Sequence, residues 1–400
     1  MAKTKQPAKK KSSGSAEDRD DVLAQKLCDL ALDLIEREDY ETLPDELKQK
    51  ETDFRKIIRK SLHQKKDELL FEALQLTEDE DSDAYLLLKN SVEEASGVIV
   101  VRDDQAALEV NAFVIPIFAR TTGGLDRAQI FQDEEAFDLL ITSIKEAQLE
   151  SGKAKVVLVS HAYHLDEIDR VRYSELNEMV HDAHASMTSK KMVATPAITR
   201  SISGWPESTF GPEDEALELR FLLGFALKAV DDPFYQVPKG EDAADAFFAT
   251  RAERFQRWTG QAAPLVKRLL VTGGRDIDVN FLYQDLFHGG KERGIAELYM
   301  LQMMSELSYA LQEQGIDPGH VKAVMGPAEI ADGAVLRVSL YAEDGALLAT
   351  SEKPMESVRD LDVEAADTYD ALMTIGIRSL ALADRFDGDG QAVGARKYEE

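Results

Sequence analysis

Apolar positions along this chain follow two rhythms. From Asp21 to Arg37, residues Leu23, Leu27, Leu30, Ala31, Leu34 and Ile35 recur at the spacing of one helical face. Pro44 opens a second helix, which tolerates its missing N–H there. That helix is predicted to run to about Leu76, with Phe54, Ile57, Ile58, Leu62, Leu69 and Leu70 on one side. The acidic stretch TEDEDSD at 77–83 marks a loop, and Tyr85, Leu88 and Val92 place a third helix after it.

The period then changes. Val98–Val101 and Leu108–Ala119 read as strands, the second with a Pro116 that predicts an edge position or a bulge. A helix is expected from Ala128 to Leu149, a buried strand at Lys155–Val159, a helix over Leu165–Ala185 and a strand at Met192–Ile198. Strand, helix and strand of these lengths predict a βαβ unit with a parallel pair. Beyond a loop at 199–212, helices are predicted at 213–230 and 241–257.

From Leu269 the pattern starts again. Strands at 269–272 and 277–286, a helix at 292–313 and a strand at 321–325 follow the first set at an almost constant offset. LEVN at 108–111 matches IDVN at 277–280, and a Gly-Gly follows each. The expectation is a mixed α/β fold: a helical N-terminal module, then two similar strand-strand-helix-strand modules arising by internal duplication. A hairpin around Glu343-Asp344-Gly345 and a helix over Val363–Asp384 complete it. The implied organisation is a basic tail at 1–20, a helical module at 21–95 and a first α/β module at 96–212. A helical connector at 213–260, a second α/β module at 261–386 and a frayed end at 387–400 follow.

Charge narrows the function classes. The chain has 400 residues and a formal net charge of −28. Residues 1–15 hold five lysines and no acid, so the rest carries −33. Polyanions are repelled by such a body, leaving the basic tail as the only expected nucleic-acid contact. No 18-residue apolar run is present, so no membrane span is expected. One cysteine, Cys28, excludes an internal disulfide framework and suits a reducing, cytoplasmic setting. Between Lys48 and Lys66 lie eight basic residues against two acidic ones. This 45–75 helix is the expected surface for a partner protein or for self-association.

Candidate chemistry centres on histidine. His161, His164, His181 and His184 form two H-x-x-H pairs. A single zinc site is excluded by the predicted helix, whose rise of about 1.5 Å per residue separates the pairs by roughly 25 Å. Glu178 with His181 and His184 would need a second helix bearing the same motif, and none is found. No metal or cofactor is therefore expected. His161, His164 and Asp166, at the carboxyl end of the 155–159 strand, are the candidate catalytic residues. Arg200, Ser203 and Trp205, after the expected parallel strand, are the candidate ligand-binding residues. The competing reading is a packed loop with an N-cap and a satisfied histidine. No Walker, G-x-S-x-G, H-E-x-x-H or C-x-x-C motif occurs.

AFVIPIFAR at 112–120, VVLVSHAYHLDEIDRV at 156–171 and VNFLYQDLF at 279–287 resemble segments of a family of uncharacterised beta-proteobacterial proteins, labelled as a domain of unknown function. The resemblance implies a bacterial cytoplasmic protein and assigns no chemistry. Missing catalytic motifs and the basic helix favour a non-catalytic binding or regulatory protein. The alternative is a hydrolase or transferase acting on an anionic small molecule at the carboxyl edge of the first α/β module.

Overall fold

A computed structural model of the protein describes residues 16–35, 44–102, 107–122, 125, 130–188, 215–282, 290–330, 333–355 and 361–398. The chain divides into two compact units. One holds residues 1–99 and 171–182, the other residues 100–170 and 183–400.

The first unit is helical: α1 (Ala16–Ile35), α2 (Asp45–His63), α3 (Asp67–Glu80), α4 (Ser82–Gly97) and the start of α7 (Tyr173–Thr188). Leu27, Leu34, Phe54, Ile58, Leu70, Leu88 and Val92 form its core, as their spacing predicts. Cys28 is buried and free. The single helix expected over 45–75 is two. The break falls at Gln64–Lys66, where Lys65 takes a left-handed φ of 54°. The helix expected over 165–185 is likewise two, α6 (Leu165–Asp169) and α7. A tertiary contact anchors the start of α7: buried Asp67 accepts the Ser174 N–H at 2.9 Å and its hydroxyl at 2.5 Å.

The second unit contains two sheets. The first has the order β1 (Val98–Arg102), β2 (Ala107–Thr122), β4 (Glu215–Ala229), β3 (Lys155–His164), with β5 (Ile277–Phe281) also on β2. The β2–β4, β2–β5 and β3–β4 pairs are antiparallel. The expected parallel partner at 192–198 lies outside the described residues, and the described neighbour of β3 is β4. Residues 215–229, predicted as helix, are therefore strand. Leu219 to Leu227 are buried without a break, and such a run has no periodicity to separate strand from helix. Fifteen register pairs with β2 settle it. Pro116 is not on an edge strand; the β5 ladder stops at Ile117, one residue away.

Helices α5 (Glu134–Glu146) and α8 (Glu241–Leu269) cover one face of this sheet. Leu140, Ile144, Phe255 and Trp258 pack there on Ile115, Ile117, Leu158 and Leu222. Helix α9 (Gly290–Gln314) packs on β2 and β4, so close that a Cβ on Gly294 would lie 2.9 Å from Pro116.

The second sheet runs β12 (Arg396–Lys397), β9 (Ser379–Leu382), β6 (Lys322–Ile330), β7 (Gly333–Tyr341), β8 (Leu347–Pro354). The β7–β8 hairpin is the predicted one, and β6–β9 is a parallel pair. Met303, Met304 and Leu307 of α9 pack on this sheet as core. Helix α10 (Leu361–Thr374) is shorter than expected, because Gly376 at φ 93° turns the chain into β9. The short β10 (Arg385–Phe386) and β11 (Ala392–Val393) pair with each other, so within the expected frayed end residues 392–393 and 396–397 form strands. The fold class is mixed α/β. The expected second module is divided: β5 joins β2 in the first sheet while β6 belongs to the second, and 269–272 form no strand.

Candidate functional site

The candidate residues cluster where β3 ends and α6 begins. The β3–β4 register shifts between Leu158 and Ala162, and His161 bridges Ile130 there. After the shift, Ala162 faces Leu222, Tyr163 faces Phe221 and His164 faces Arg220.

His164 is the N-cap of α6. Its Nδ1 accepts the Asp166 N–H at 3.3 Å. Glu167 closes the reciprocal half of the cap, accepting the His164 N–H at 3.0 Å. An accepting Nδ1 places the ring proton on Nε2. Burial, helped by the Arg220 guanidinium and opposed by Glu167, pushes the His164 pKa down to about 3. The neutral ring is the form that can cap.

His161 is buried, and its Nε2 lies 2.9 Å from Glu167 Oε2. Burial raises the Glu167 pKa. Hydrogen bonds from His161 and the His164 N–H, with the charges of His161 and Arg220, outweigh it and hold this carboxyl below its usual value. An ionised carboxylate only accepts, so His161 donates through Nε2. Its Nδ1 is buried without a partner among the described residues. The Tyr163 ring meets the His161 ring edge-on at 4.6 Å. Burial and the nearby Glu167 charge push the Tyr163 phenol well above its usual range, and its hydroxyl is also buried without a partner among the described residues.

Arg220 is buried on β4. Its Nε and Nη2 donate to Glu218 Oε2 at 3.0 and 2.7 Å. Glu218 Oε1 in turn accepts the Leu125 N–H at 2.7 Å. Arg220 Nη1 is buried with no partner among the described residues.

The structure thus brings His161 and His164 together through Glu167. Asp166 enters only through its backbone N–H among the described contacts. Arg200, Ser203 and Trp205 lie outside the described residues. Glu167, Glu218 and Arg220 were not singled out from the sequence. Glu167 carried a signal, a carboxylate three residues into a helix from its cap. Arg220 carried none while its segment read as helix. Glu178 pairs with Lys65 at 2.6 Å rather than joining His181 and His184. Among the described residues no group of three or more His, Cys, Asp or Glu side chains is placed to hold a metal.

Two chemistries fit this geometry. Arg220 Nη1 is a buried donor on one sheet face, suited to an anion. The His161–Glu167 pair has the form of an imidazole oriented by a carboxylate. Among the described residues, no helix is long and apolar enough to cross a membrane.

No curated protein and no solved structure matches this chain at a significant level. A family model does match, over residues 11–341, and the chain belongs to that family, the proteins of unknown function designated DUF2863.

Proposed function

We propose that this chain is a non-catalytic cytoplasmic binding protein, with a small carboxylate or phosphate as ligand at Arg220 Nη1. The carrying observation is the Arg220 guanidinium, buried with two nitrogens on Glu218 and Nη1 without a partner among the described residues. A buried donor left unpaired costs about 1–3 kcal/mol, which an anion's oxygen would recover. The histidines' structural roles favour binding over turnover. His164 is engaged as a cap, and both members of the His161–Glu167 pair are buried. The single buried cysteine and the absence of a membrane-spanning helix among the described residues support the cytoplasmic placement.

Thermal unfolding with a panel of phosphorylated and carboxylated metabolites tests this. Ligand at about tenfold over its Kd should raise stability by about 1.4 kcal/mol, and Arg220→Met should remove the effect. A panel without any stabilising anion, or an effect undiminished in Arg220→Met, overturns the proposal.

A second reading, a hydrolase or transferase for an anionic small molecule, is favoured by the 2.9 Å His161–Glu167 contact. His161 would act as base and Glu167 would orient it. Turnover of any panel member, lost in His161→Gln, would establish this reading over the first.

A further inference from the structure

We propose that the chain associates with a second copy of itself, the basic face of α2 in one copy seating on the acidic, Phe71-bearing face of α3 in the other. Helix α2 buries Leu47, Phe54, Ile58 and Leu62. Lys56, Arg59, Lys60 and His63 are all exposed, at the spacing of a single helical face. Neighbouring bases are neutralised within the unit. Lys50 pairs with Asp33 at 3.0 Å, Arg55 with Glu51 at 2.7 Å and Lys65 with Glu178 at 2.6 Å, and Lys66 pairs with Asp20. Among the described residues, no acid pairs with the four on the exposed face.

Helix α3 presents the complement. It buries Leu69, Leu70, Ala73, Leu74 and Thr77 and exposes Phe71, at 43%, with Glu72 next to it and Glu78 and Asp79 about two helical turns further on. An exposed ring with carboxylates along the same helix offers an aromatic anchor and paired charges in one patch. A lysine or arginine arriving from α2 would also find the ring face.

The net charge of −28 selects the partner. It disfavours nucleic acid on the basic face, since the body around that face repels phosphates. Repulsion between two whole copies is screened beyond about 8 Å at physiological salt, whereas ion pairs in contact are screened far less. The second copy carries an exposed acidic helix face of matching length, so the occupant needs no feature beyond those of this chain.

Sedimentation of the full chain over a range of concentrations tests the pairing. At about 0.1 M salt the weight-average mass should rise above 44.5 kDa with concentration, and at about 1 M salt it should return to that value. Lys56→Glu/Arg59→Glu/Lys60→Glu should remain monomeric, as should Glu72→Lys/Glu78→Lys/Asp79→Lys. An equimolar mixture of the two should associate again, because each then offers the other opposite charges. Phe71→Ser, with every charge intact, should weaken association about tenfold. A wild-type chain that stays monomeric throughout overturns the proposal. So does association of either reversed variant as tight as wild type, or a mixture that stays monomeric. Restoration on mixing also shows that the variants are folded.

Discussion

His164 and Arg220 stand directly opposite each other on β3 and β4. Their side chains therefore leave the sheet on one face, while Tyr163, between His164 and the strand interior, leaves on the other. The guanidinium is close enough to add to burial in keeping the imidazole neutral. One register pair thus joins a helix cap to the proposed anion site.

The cap has a pH signature. A histidine whose folded pKa lies near 3 against an ordinary 6.5 binds its proton more readily in the unfolded chain. Its stabilisation is complete above 6.5 and declines as pH falls toward 3. The slope is at most about 1.4 kcal/mol per pH unit, and less because the ring is not fully buried. His164→Asn, a good N-cap without this titration, should unfold in urea within about 1 kcal/mol of wild type at pH 7. Between pH 6.5 and 4 it should lose less stability than wild type. Parallel pH profiles for the two proteins would refute the capping role.

Glu167 accepts from both His161 and the His164 N–H through one oxygen. Glu167→Gln retains the shape and removes the charge, so about 1–3 kcal/mol should be lost at neutral pH. The carboxyl titrates below its ordinary value of 4.5 in the folded chain. Its stabilisation is therefore present above 4.5 and is lost as pH falls through the folded value, so the variant's deficit should shrink in acid. Urea midpoints at pH 7 and pH 4 measure both, and an equal deficit at the two would contradict the argument.

The Glu218–Arg220 pair, with side chains 14% and 4% exposed, should respond asymmetrically to substitution. Arg220→Met leaves a nearly buried carboxylate without its guanidinium and should cost about 3–5 kcal/mol. Glu218→Gln/Arg220→Met removes both charges while keeping a carbonyl for the Leu125 N–H. The double variant should be more stable than Arg220→Met. If chemical denaturation ranks them the other way, the pair is not the desolvated one described.

Gly224 stands between Phe113 and Leu158 in register. A Cβ there would lie 2.4 Å from Phe113 Cζ and 2.7 Å from Leu158 Cδ2. Gly224→Ala should cost about 1–3 kcal/mol through overpacking. Adding Phe113→Leu should recover part of that. Thermal unfolding of the single and double variants decides it, and strictly additive losses would rule out the steric cause.

Local residue patterns were enough to read the helical core of Leu27, Phe54, Ile58 and Leu88, the β7–β8 hairpin, and a buried strand from Lys155, although that strand runs on through His161 to His164 where a loop was expected. Each rests on contacts or periodicities within a few neighbouring positions. They were not enough for residues 215–229. A strand buried on both faces has no polar face to reveal its period, and only pairing with β2 and β3 makes it a strand. Arg220 was hidden with it, and it meets His164 across 56 positions of sequence. The breaks at Lys65 and after Asp169 were equally silent, since tertiary contacts such as Asp67 with Ser174 help to set them. The chain's acidity, its single buried thiol and its amphipathic helices are properties of composition and local order. Which imidazole caps, which carboxylate stays ionised and which guanidinium nitrogen lacks a partner among the described residues depend on groups distant in sequence, because burial and charge act through space.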